Sequence, residues 1–156
     1  MILEYGELIS VEKILAEKAI ANFTEGYNCS ESMLRAYLEV YGKDIKLSCA
    51  ASGFGGGIGG RGGTCGAVTG SIMAMGIHFN RQSPQETEIY GKVRGNSLAF
   101  QAKFFQEIGA LHCKELVPYD LTTMEGRNKL HDDQEAMKKC QHFLTTAAKL
   151  LGEFLE

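Results

Sequence analysis

Eight of the eleven residues from Gly53 to Gly63 are glycine, and the run leads directly into Thr64-Cys65-Gly66-Ala67-Val68-Thr69-Gly70. So dense a run cannot be core, because glycine loses the most backbone entropy on ordering and brings no side chain to packing. It reads as a loop that needs unusual backbone angles or lets backbone approach a bound group closely. On that reading Gly56, Gly57, Gly59 and Gly60, with Gly66 and Gly70 beyond them, are the expected cofactor- or substrate-facing wall of a site.

Thr64 is the expected N-cap of the helix that follows, which puts Cys65 in a first turn. Unpaired N–H groups and the helix dipole favour a thiolate there, drawing the pKa below the unperturbed ~8.5. Gly66, Gly70 and Ala74 recur at i, i+4 and i+8, so one face of this helix is nearly bare. Another backbone or a bound group can lie against it; the plainer alternative is a tight helix–helix contact with Cys65 as a small buried hydrophobe.

The other cysteines bear on that choice. There are five, at 29, 49, 65, 113 and 140. Asn28-Cys29-Ser30-Glu31 has the form of a capping box, with Asn as N-cap and Glu three residues on, so Cys29 also falls in a first helical turn. Cys140 lies on the apolar stripe Ala136, Met137, Phe143, Leu144, Ala147, Leu151 and Phe154. Cys113 sits at a break between Gly109 and Pro118.

This arrangement resembles the redox-active protein family named for its C, CGAxxG, C, C cysteine pattern. The resemblance runs from about Cys29 to Cys140, with the family's four cysteines falling on Cys29, Cys65, Cys113 and Cys140; Cys49 is outside the pattern. It implies thiol-based redox activity or cluster binding by those four residues, and association with a membrane transporter. It implies no defined substrate.

A chain of 156 residues suits one domain with a sizeable core and no need of disulfide staples. A net charge of −3 without a basic run argues against a nucleic-acid partner. The Met1–Glu7 segment lacks the basic and apolar parts of a signal peptide, and the apolar stretch Cys65–Phe79 is too short for a bilayer of ~30 Å. The expectation is therefore a cytoplasmic protein without direct membrane insertion, where reactive thiols are commoner than structural disulfides. The redox partner is unspecified, and a homo-oligomer is compatible with the sequence.

Periodicity predicts an all-α bundle of about five helices, forming a single redox-type domain over residues 1–156, with the glycine-rich loop before the central helix. Helix one is expected from Ser10 to about Asn22, burying Val11, Ile14, Leu15, Ala19 and Phe23. The second opens at Cys29, burying Met33, Leu34, Tyr37, Leu38 and Tyr41, and closes before Gly42. A short turn over Leu47–Ser52 precedes the loop, and the Thr64 helix ends near Asn80. Ser83-Pro84-Gln85-Glu86 is a strong start signal for a long helix to about Ile108, with Ile89, Val93, Phe100 and Phe104 on one face and Gly91 and Gly95 as soft spots. A polar connection, Thr122 to His131, leads to a last helix from Asp133 to Phe154. No alternation typical of strands is present.

Gly55-x-Gly57-x-x-Gly60 matches the dinucleotide fingerprint only because the stretch is so rich in glycine; no strand precedes it and no acidic residue is placed for a ribose. Arg61 reads as a solvated side chain, and His78, His112, His131 and His142 form no ligand spacing. With no Cys-x-x-Cys, neither a thioredoxin motif nor a zinc ribbon is present. Three readings remain. Four thiolates meeting at one point would suit an Fe–S cluster or Zn²⁺. Two pairs would suit a dithiol relay with Cys65 or Cys29 as nucleophile. A metal-holding or redox-sensing accessory to a transporter would use the same cysteines without turnover. All three require the four cysteines to converge.

Overall fold

The computed structural model describes residues 2–4 and 7–156; of the Met1–Glu7 segment read for a signal peptide, Met1, Tyr5 and Gly6 lie outside the described residues. The chain is all-α apart from a short N-terminal hairpin, in which β1 (Ile2–Glu4) pairs antiparallel with β2 (Glu7–Ile9) in the register Ile2↔Ile9, Leu3↔Leu8 and Glu4↔Glu7. The hairpin corrects the expectation of no strand. Three residues per strand are too few to display an alternating pattern.

Seven α-helices and one 3₁₀ helix follow among the described residues, against the expected five. The first is α1 (Val11–Glu25), whose N-cap Ser10 accepts from the Lys13 N–H; it runs to Gly26, whose φ of 119° ends it. Helix α2 (Cys29–Val40) begins with the expected reciprocal box: Asn28 Oδ1 accepts from the Glu31 N–H at 2.9 Å, and Glu31 Oε2 accepts from the Asn28 N–H at 3.0 Å. Asn28 Nδ2 also donates to the Ser52 carbonyl, which ties this helix start to the 3₁₀ segment Ile45–Phe54.

Helix α3 (Gly66–Phe79) starts later than expected, with Cys65 rather than Thr64 as N-cap. Thr64 is instead engaged in an antiparallel bridge with His112, which holds its backbone extended. Asn80, at φ 54°, ends the helix in the left-handed region.

Helix α4 (Thr87–Ile108) also starts one turn late. Glu86 Oε2 accepts from the Gln82 and Ser83 N–H groups, closing a turn of its own, and the Glu86 ψ of 66° interrupts helical continuity. Beyond it lie α5 (Cys113–Leu116), α6 (Met124–Asp132) and α7 (Gln134–Phe154). The polar connection thus contains a helix, capped by Thr123 accepting from the Gly126 N–H. Only Gly126 of α6 is buried, so it has no apolar stripe to announce it. The last helix starts as expected at Asp133, which accepts from the Ala136 N–H and from the Tyr119 hydroxyl.

Helix α1 packs on α2 and α7, and α2 packs on α3, with α4 laid across α3 and α7. The core between them holds Leu15, Met33, Leu34, Tyr37, Leu38, Val68, Met75, Phe100, Phe104, Leu144 and Leu151. A smaller cluster, Cys113, Val117, Leu121 and Cys140, sits beside it.

The bare face of α3 is the seam with α2. A Cβ on Gly66 would lie 2.8 Å from Cys29 Cβ and 2.7 Å from the Ser30 nitrogen; one on Gly70 would meet the Ser30 carbonyl oxygen and Met33 Cβ. The two helices therefore touch backbone to backbone at their first turns. Gly70→Ala gains roughly 0.8–1 kcal/mol of helix propensity but forces a backbone apart. Overpacking of this kind costs about 1–3 kcal/mol, so a net loss of up to about 2 kcal/mol is expected in urea unfolding of the reduced protein, and a gain in stability would contradict this seam.

Candidate functional site

A cavity of about 400 Å³ is lined by all four pattern cysteines, Cys29, Cys65, Cys113 and Cys140. Each arrives by a different route. Cys29 is the first residue of α2, brought in by the capping box, and Cys65 is delivered beside it by the α2–α3 seam. Cys113 opens α5 and is tied to the loop's exit: its N–H donates to the Gly63 carbonyl at 2.7 Å, and the Cys65 N–H donates to the Leu111 carbonyl at 2.8 Å. Because Thr64 and His112 are paired, Cys65 and Cys113 flank that pair diagonally and share one face of the ribbon. Cys140 enters from α7, whose apolar stripe faces inward. All five cysteines are free; Cys49 is exposed on the 3₁₀ segment, outside this cavity.

The glycine-rich loop supplies the opposite wall through Gly53, Gly55, Gly56, Gly59 and Gly60. Five consecutive residues, Gly56 to Gly60, have φ between 62° and 75°. Side chains tolerate this region poorly, so glycine is required for the coil the loop makes. Ile58, a β-branched residue at φ 66° and half exposed, is the strained exception. The coil closes through Gly59 N–H to Gly53 O, Gly62 N–H to Gly56 O, and Gly63 N–H to Gly57 O. It also rests on the Cys113–Leu121 segment, where a Cβ on Gly60 would lie 2.7 Å from the Leu121 carbonyl oxygen.

Of the six glycines expected to face a cofactor, Gly56, Gly59, Gly60 and Gly66 line the cavity. Gly57 does not: it packs on the backbone of Gly62 and Gly63, where a Cβ would lie 2.5 Å from Gly63 N. Gly70 does not either, being one turn down the α2–α3 seam. The rest of the lining is mainly apolar, including Phe23, Leu116, Val117, Met137 and Phe143, with the exposed Arg127 and His131 of α6 at its edge. The sequence reading assigned nothing to Arg127 and took His131 for a surface or rim histidine rather than a ligand. Both are carried by the polar helix that the hydrophobic pattern did not reveal. Arg61, as expected, is exposed.

Electrostatics reverse the expected ranking of the thiols. The first-turn N–H groups of Ala67 and Val68 pull the Cys65 pKa down, but burial outweighs them and pushes it up to about 12. Burial, then the neighbouring Cys140, pushes Cys113 up to about 11. Cys29 is raised well above its ordinary value, first by the Cys140 thiol beside it, then by burial and the other sulfurs. Cys140 alone among the four is lowered, by the neighbouring Cys29 thiol, against an opposing contribution from burial. Burial thus disfavours the Cys65 thiolate that the helix start was expected to favour. The helix-dipole expectation is not met at Cys65, where burial outweighs the first-turn N–H groups.

Among the described residues no group of three or more His, Cys, Asp or Glu side chains is arranged to hold an ion. Likewise, no helix among the described residues is long and apolar enough to cross a membrane.

Two measurements check these electrostatics. Cys140 should be alkylated fastest of the four near neutral pH, with rates referenced to the unfolded chain. Cys29→Ala should slow it and Cys29→Ser should restore part of the rate; an unchanged rate in Cys29→Ala would remove the role of Cys29. Second, Cys65 is protonated in the folded state up to about pH 12 but ionises near 9.0 when unfolded. Its contribution to stability is present below 9.0 and is lost as pH rises through the interval to about 12. Wild type should therefore lose up to ~1.4 kcal/mol more per pH unit in that window than Cys65→Ala, measured by denaturation under reducing conditions.

Comparison with known proteins agrees with the cysteine pattern. The family described as "Putative redox-active protein (C_GCAxxG_C_C)" matches residues 27–154. A protein of Archaeoglobus fulgidus, described as "Uncharacterized protein", is 32% identical over 127 residues, covering 73% of this chain and 84% of that relative. No solved structure matches the chain. With its motif reading Cys65-Gly66-Ala67-Val68-Thr69-Gly70 and the match running from just after α1 to the last residue of α7, the chain belongs to this family of redox-active proteins.

Proposed function

We propose that the protein carries out thiol–disulfide exchange in the four-cysteine cavity, with Cys140 as nucleophile and Cys29 as its resolving partner. The observation that carries this reading is the convergence of Cys29, Cys65, Cys113 and Cys140 on one cavity, within which Cys29 and Cys140 act on each other's ionisation, raising Cys29 and lowering Cys140. A protonated neighbour beside the attacking sulfur is also the group placed to attack next.

The chemistry balances with a disulfide-containing substrate or partner. The Cys140 thiolate attacks one sulfur of that disulfide, forming a mixed disulfide and expelling the other sulfur as a thiolate. Cys29 gives up its proton, attacks the Cys140 sulfur and displaces the remaining substrate sulfur. The substrate disulfide gains two electrons, and the two thiols lose them as a Cys29–Cys140 bond forms; the reverse direction oxidises a dithiol. The diagonal pair, Cys65 and Cys113, supplies a second dithiol of higher pKa in the same cavity, from which Cys140 can be re-reduced. The glycine wall leaves room for substrate backbone to approach, and the apolar lining keeps water from competing for the mixed disulfide.

A cytoplasmic setting suits free, reactive thiols, and the electron partner is a protein or small-molecule disulfide. The reading extends to the whole chain as one redox domain. Reduced protein exposed to an equivalent of oxidised dithiol reagent, then quenched and mapped by mass spectrometry without reduction, should show Cys29–Cys140 as the first disulfide. Cys140→Ser should abolish mixed-disulfide trapping, and Cys29→Ser should accumulate it. A first disulfide that involves Cys49, or trapping retained in Cys140→Ser, would contradict the assignment.

A further inference from the structure

Helix α4 turns Phe100 and Phe104 into the core, and no other residue of its 22 is fully buried. At about 3.6 residues per turn, Gly91, Gly95, Leu98, Ala102 and Phe105 fall on the diametrically opposite side. All five are exposed, Leu98 by 64% and Phe105 by 53%. Their spacing alternates four and three residues, the seam of a coiled coil, and Gly109 continues it.

The two glycines have no purpose within one copy of the chain. A Cβ at Gly91 or Gly95 would meet nothing within 4 Å, and neither has the left-handed φ that would require glycine. Each weakens the helix interior. The bareness therefore serves something outside.

We infer that this face pairs with the same face of a second copy, antiparallel, about a two-fold axis near residue 100. In an antiparallel seam the layers bring Phe105 of one copy over Gly95 of the other, and Leu98 over Ala102, so each large side chain meets a small one. A parallel pairing would stack Phe105 on Phe105 and leave Gly91 and Gly95 facing themselves as voids. The flanks of the antiparallel pairing set Lys92 against Gln106, Arg94 against Ile108 and Gln101 against its own equivalent, with no like charges opposed. The seam runs along a helix ~33 Å long and buries the exposed Leu98 and Phe105. It also sets the C-terminal end of α4 beside the N-terminal half of the partner's α4.

Sedimentation of the full-length reduced protein should give a dimer. Gly95→Leu fills the hole for Phe105 and Leu98→Lys charges the seam; each should weaken dimerisation at least tenfold while leaving the circular dichroism of the monomer unchanged. In a Cys49→Ser background, Gln101→Cys should form a cross-linked dimer on mild oxidation and Gly91→Cys should not. A monomer at all concentrations, a dimer untouched by Gly95→Leu, or cross-linking of Gly91→Cys in preference to Gln101→Cys would overturn the inference.

Discussion

The backbone contact between α2 and α3 is the constraint on which the site depends. Gly66 and Gly70 let the first turns of the two helices meet without intervening side chains, at the places where Cys29 and Cys65 begin them. Any residue larger than glycine at Gly66 would push against Cys29 itself. The seam therefore fixes two of the four sulfurs, and it dries them: the same closeness that aligns the thiols removes the water that would stabilise their thiolates.

The glycine-rich loop solves the complementary problem. Its left-handed run brings Gly62 and Gly63 back to pair with Lys114 and Cys113, so a third cysteine is held by backbone hydrogen bonds to the residues just before Cys65. The fourth, Cys140, is held by the packing of α7, where Phe143 and Leu144 anchor the next turn in the core. Three sulfurs are thus positioned by backbone geometry and one by hydrophobic burial. The one held by side-chain packing is also the one whose thiolate is favoured.

Much of this was legible in the chain. The capping box at Asn28, the start of α7 at Asp133 and the inward phase of Cys140 follow from local chemistry that tertiary structure leaves intact. The bare face of α3 was visible too, although its use as a seam rather than a ligand surface was one of two readings. What the sequence could not show depends on partners distant along the chain. Thr64 is a plausible cap until His112 takes its backbone into a bridge. Cys65 is a plausible thiolate until α2 covers it. Helix α6, with Arg127 and His131 at the edge of the cavity, has a polar surface on nearly every side, so no periodicity marks it.

In the proposed exchange, Cys29 and Cys140 behave as one two-electron couple. An equilibrium redox titration, with thiols counted after denaturation, tests this directly. In a Cys49→Ser background, the free-thiol count should fall by two in the first transition, with a two-electron dependence on the dithiol buffer. Replacing either Cys29 or Cys140 by serine should remove that transition. A first transition that survives in both serine variants, or that follows a one-electron dependence, would contradict the account.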